Sequence, residues 1–99
     1  MTVFAVNMRL TPESCIRFNE EVMKTFREAF VKREESAEKN GVKILSAYTS
    51  TIEHTTFCIV EASSQQSVES YFVEIGMAFW NTVDISQVVP FEDVIKKFL

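Results

Sequence analysis

From Thr2 to Leu10 the chain alternates: Phe4, Val6, Met8 and Leu10 fall on one face, and Val3, Ala5, Asn7 and Arg9 on the other. A period of two is the mark of a half-buried strand, here with a second face that is only partly polar. The period then lengthens. Thr11 can cap a helix, Pro12 suits its first position, and Glu13 favours the positive end of its dipole. Cys15, Phe18, Val22, Phe26 and Ala29 follow at three- and four-residue steps, and Ile16, Met23 and Phe30 widen the stripe. The stripe fades after Val31, and Asn40-Gly41 supplies a stop that tolerates positive φ. A single helix over this stretch, about 28 residues and roughly 42 Å long, would overhang any eight-residue strand of about 27 Å.

Two further strands are expected at 42–51 and 55–62, joined as a hairpin through Ile52-Glu53-His54. The second is apolar on both faces, with Phe57 and Ile59 on one and Cys58, Val60 and Ala62 on the other. Strands of that kind are usually covered on both sides. Ser63-Ser64-Gln65-Gln66 resembles a capping box. Val68, Tyr71, Phe72 and Ile75 then trace a helical stripe that Gly76 ends. Met77-Ala78-Phe79-Trp80 reads as an apolar connection, 82–89 as a last strand, and Phe91 to Leu99 as a short tail helix after Pro90. Strand, helix, hairpin, helix, strand is the ferredoxin-like β-α-β-β-α-β order. It gives an α+β domain spanning residues 1–99, with one four-stranded antiparallel sheet and two helices on one face.

Such a sheet leaves one face without helices. Either the tail helix or a second copy of the chain covers it. Val3, Ala5 and one side of the Phe57–Ala62 strand favour the second copy, giving a homodimer in which two sheets form an α+β barrel. The composition agrees: 46% of residues are hydrophobic, with nine Phe, one Trp and two Tyr. The net charge of −4 argues against nucleic acid as a partner. No apolar run approaches about 18 residues, so no membrane span is expected. The first residues lack a signal-peptide pattern, and the two cysteines, Cys15 and Cys58, fit no metal spacing. A cytoplasmic setting with free, core-buried thiols follows.

Candidate chemistry is sparse. Asn7 and Arg9 stand on the face expected to be enclosed, and Asp84 and Ser86 of the last strand share that region. Polar groups in an apolar enclosure are the usual anatomy of a ligand site. Tyr48 and Trp80 could rest against the apolar part of a ligand. Asn7, Arg9, Tyr48, Trp80 and Asp84 are therefore the candidate ligand-binding residues; Asp84 could alternatively neutralise Arg9 within the protein. His54, the only histidine, sits at the hairpin tip and reads as a loop residue unless a dimer brings two copies together. Neither a metal nor a cofactor is expected. No Gly-rich phosphate loop, Cys-x-x-Cys or Gly-x-Ser-x-Gly occurs. In the core, Phe26→Ala is expected to cost about 3–5 kcal/mol.

Thr11-Pro12-Glu13, Gly41-Val42-Lys43, Glu53-His54-Thr55, Val60-Glu61-Ala62 and Val88-Val89-Pro90-Phe91-Glu92-Asp93 together carry a resemblance. The chain resembles the DUF3303-like group of small uncharacterised domains in the dimeric α+β-barrel superfamily. That resemblance implies the fold and a dimer, and the group carries no assigned activity. The wider superfamily includes cofactor-independent monooxygenases and haem-degrading enzymes. Haem-degrading members are similar in having an Asn on the first strand, like Asn7, but need a histidine where this chain has Gly76-Met77-Ala78. The leading expectation is a homodimeric domain holding a small amphipathic ligand between its sheets. The alternatives are a monooxygenase-like enzyme using Asn7, Arg9, Tyr48 and Trp80, or a structural and regulatory interaction module.

Overall fold

A computed structural model describes residues 1–10 and 20–99, apart from the side chains of Val22, Phe79 and Trp80. The elements run β1 (Thr2–Arg9), α1 (Glu20–Phe30), α2 (Arg33–Asn40), β2 (Lys43–Ser50), β3 (Thr55–Ala62), α3 (Gln65–Glu74), α4 (Met77–Trp80), β4 (Thr82–Val88) and α5 (Phe91–Lys96). The four strands form one open antiparallel sheet in the order β2-β3-β1-β4. This is the ferredoxin-like α+β arrangement that the sequence pattern predicts. The expected cap at Thr11, Pro12 and Glu13, and the Cys15, Ile16 and Phe18 part of the stripe, lie outside the described residues.

The core forms where the sheet meets α3. Phe4, Val6 and Met8 of β1 and Cys58, Val60 and Ala62 of β3 are buried together with Val68, Tyr71, Phe72 and Ile75. Val6, Val60 and Val68 are fully buried, and each such side chain contributes roughly 1.5–3 kcal/mol. Ser64 caps α3 by accepting from the Ser67 N–H at 3.2 Å. Gly76 leaves the helix with φ at 81°. A β-carbon there would sit 3.0 Å from the Ala29 Cβ, so the glycine also lets α1 approach the α3–α4 turn.

Two expectations need correction. The first helix is not continuous: α1 ends at Phe30 and α2 begins at Arg33. Val31 lies 70% exposed at the break, and Lys32 adopts a bridge conformation (φ −93°, ψ 6°). The break turns Ser36 inward. Its hydroxyl donates to the Glu74 carboxylate, which also accepts from Asn40 Nδ2 at 2.8 Å and Lys39 Nζ at 3.2 Å. The mixed-charge stretch Arg33–Asn40 is thus a helix clamped to α3. Second, residues 77–80, expected as an apolar connection, form a one-turn helix that Trp80 closes. The edge strand β2 also carries a bulge between Ile44 and Ser46.

No residue of α5 is buried, so the tail helix does not act as a lid on the sheet. No helix among the described residues is long and apolar enough to cross a membrane.

Candidate functional site

Strand register decides which side chains share a face. On the helix-free side, Tyr48 lies opposite Phe57, Phe57 opposite Asn7, and Asn7 opposite Asp84, so these four residues make one row across the sheet. Arg9 stands one row away, between Thr55 and Thr82. Tyr48 stacks on Phe57 with ring centroids 5.6 Å apart. Asn7, Arg9, Tyr48 and Asp84 are all exposed. Among the described residues Arg9 and Asp84 form no ion pair. The side chain of Trp80 lies outside the described set. The structure therefore brings four of the five candidate residues onto one open face, and none of these four lines the principal cavity.

The principal cavity, about 600 Å³, lies on the opposite side of the sheet, beneath the helices. Its origin is legible residue by residue. Where α3 covers β1 and β3, valines and phenylalanines fill the interlayer space. Toward β2, the helix-side positions are Ala47, Thr49, Thr56 and Cys58, all too short to fill an interlayer gap of about 10 Å. Phe26 and Phe30 of α1 roof this space, stacked at 4.8 Å between ring centroids. Met8, Ile75 and Met77 add apolar wall. Ala47 and Thr49 on the edge strand are exposed, so the cavity opens along β2.

A few polar groups line this apolar space, notably Arg33, His54, Cys58, Tyr71 and Asn81. Arg33 lies with its guanidinium 4.2 Å from the Phe30 ring centroid and donates to the Phe30 carbonyl at 3.1 Å. Asn81 spends Nδ2 on the Met77 carbonyl at 2.9 Å. His54, at the hairpin end, is the only described non-glycine residue with positive φ, at 55°, and its carbonyl accepts from the Leu10 N–H at 3.1 Å. Burial pushes the Cys58 thiol up to about 11. Burial also raises the Tyr71 phenol, with Cys58 adding to the rise and Arg33 opposing it. Tyr71 and Phe72 meet edge to face at 5.0 Å.

The sequence pattern places Tyr71 and Cys58 on apolar faces and assigns Arg33 no role. Periodicity reports which face a residue occupies but not whether the two layers meet there. A signal was present: a tyrosine inside an apolar stripe brings a hydroxyl that needs a partner.

A family profile described as a domain of unknown function, DUF3303, matches residues 13–98. The chain belongs to the DUF3303 family. No curated protein matches it. Among solved structures, SCO4226 from Streptomyces coelicolor A3(2) is similar at a TM-score of 0.58 and 13% identity, over 88% of this chain and 96% of that one. A REP-associated tyrosine transposase bound to a REP hairpin aligns at a TM-score of 0.54 and 7% identity, over 97% of this chain and 61% of the other. The de novo designed protein Ferredog-Diesel aligns at 0.52 and 18% identity, over 86% of this chain and 84% of its own. At these identities the likeness concerns the DUF3303 chain's fold alone.

Proposed function

We propose that this DUF3303 domain is a homodimeric binder of a small amphipathic molecule, and that the ligand occupies the cavity between the helices and the sheet. The observation that carries this reading is the cavity itself. At about 600 Å³, with an apolar lining and a few convergent polar groups, it falls in the range of small-molecule sites, roughly 300–1,000 Å³. The site thus moves from the helix-free face, where the alternation in β1 pointed, to the other side of the same sheet.

The helix-free face is assigned to the second copy of the chain. Tyr48 and Phe57 expose apolar surface there. Arg9 and Asp84 place opposite charges on the same patch, which suits an isologous contact in which each copy presents both signs. In that dimer Asn7, Arg9, Tyr48 and Asp84 become interface groups, and any ligand between the sheets would meet them, with Trp80 following Phe79 at the end of α4.

The test uses decanol, a neutral amphipathic probe, and the variant Ala47→Trp, which places a large ring on the floor of the cavity at its open side. The parent's melting temperature should rise with decanol concentration, as binding to the native state requires. The variant should fold and show no rise. Equal rises in both proteins, or none in either, would overturn the cavity reading.

A further inference from the structure

Resting on that reading, we infer that the cavity selects an acid: a molecule with an apolar body and one anionic group, held between the Tyr71 hydroxyl and the Arg33 guanidinium. Tyr71 is 4% exposed and lines the cavity, yet among the described residues its hydroxyl has no hydrogen-bond partner. Buried polar groups are nearly always paired, and an orphan one is a place where something else binds. Arg33 lines the same cavity. One of its N–H groups serves the Phe30 carbonyl, and no carboxylate among the described residues faces it.

Both groups donate, so what completes them must accept. A neutral carbonyl would satisfy the phenol but leave the guanidinium without a counter-charge. A carboxylate answers both, because hydrogen bonds from a guanidinium to a carboxylate are charge-assisted and stronger than neutral ones. The rest of the lining agrees. No Asp or Glu is among the described lining residues. Cys58 is held in its neutral thiol form near pH 7 by burial, so it contributes no competing negative charge. In a chain with a net charge of −4, the described lining of this cavity carries the Arg33 cation and no carboxylate. The apolar walls from Met8, Phe26, Phe30 and Ile75 take the body of the molecule.

Decanoate and decanol share a chain and differ in the head group, so they separate the two questions. Both are titrated calorimetrically at pH 7.5 into the parent, Tyr71→Phe, Arg33→Met and Arg33→Lys, each checked for its fold by circular dichroism. The parent should bind decanoate at least about tenfold more tightly than decanol, the size of one charge-assisted hydrogen bond. Tyr71→Phe and Arg33→Met should each shrink that preference to within about threefold, because decanoate loses more affinity than decanol does, and Arg33→Lys should retain part of it. Equal affinity for the two probes in the parent, or a preference that survives in both Tyr71→Phe and Arg33→Met, would overturn the head-group assignment and leave the cavity reading standing. Absence of binding by either probe would remove the cavity reading and this inference together.

Discussion

Phe72 and Phe26 both belong to apolar helix stripes, yet their truncation should have different consequences. Phe72 is buried at 4% exposure against the sheet, so Phe72→Ala is expected to cost about 3–5 kcal/mol. Phe26 is only half-buried and borders the cavity. Phe26→Ala should therefore cost less than the 3–5 kcal/mol its place in the stripe suggests, because part of its ring already faces open space. Urea denaturation of the two variants side by side checks the order, and a larger loss for Phe26→Ala would contradict it. Cys58 offers a second test at this scale. With the thiol pushed up to about 11 by burial, its thiolate fraction at neutral pH is negligible, and thiolate is the reactive form. Labelling of native protein, followed by peptide mass at Cys58, should be slow and should become fast in denaturant. Rapid native labelling would show a solvated thiol. The sequence conveyed the side of the sheet on which Cys58 and Phe26 stand. It did not convey depth, which depends on the size of the residues facing them.

Two junctions between elements make separate predictions. Gly76 combines a φ of 81° with a β-carbon position 3.0 Å from Ala29 Cβ. Gly76→Ala must strain the backbone and push α1 away, and should cost about 1–3 kcal/mol. Gly41→Ala shares the left-handed backbone but meets nothing within 4 Å, so its cost should be smaller, about 1 kcal/mol; the difference in denaturant midpoint between the two variants measures the α1 contact. The α2–α3 junction rests on Glu74, whose carboxyl is held below its ordinary value first by the Ser36 hydroxyl, then by Asn40 and Lys39. A lowered folded value means the stabilisation is present above the unfolded carboxylate value and fades as pH falls through the folded one. Between pH 6 and pH 3 the parent should lose more stability than Glu74→Gln, and parallel profiles would show that the clamp contributes nothing. Element types and order were legible, since alternation and three-to-four spacing are strong signals in β1, β3 and α3. The break at Val31 was not, because Lys32 to Lys39 carries no apolar stripe and its fixed position comes from Glu74, 35 residues beyond Lys39.

As a whole the molecule is a slab, 53 × 31 × 17 Å, with a radius of gyration of 14.8 Å where a compact chain of this size would have about 13 Å. One face of its sheet carries helices and the other does not, which is why a second copy is proposed there. Light scattering should report twice the 11.4 kDa of the chain at tens of micromolar, and Phe57→Glu should halve the mass while preserving the circular dichroism spectrum. A parent at 11.4 kDa would remove the dimer. The helix-free face was legible from Asn7 and Arg9 in β1. The cavity was not, since it arises where the small residues Ala47, Thr49 and Cys58 of the β2–β3 hairpin meet the Phe26–Phe30 roof, which comes from a helix earlier in the chain. The position of the ligand is read from intermolecular nuclear Overhauser effects of bound decanol. Its alkyl protons should contact the methyl groups of Met8, Ile75 and Met77 and none of those on the helix-free face. Contacts to Val3, Ala5 and Ile59 in place of these would put the ligand on the opposite side of the sheet and rule out the cavity as its site.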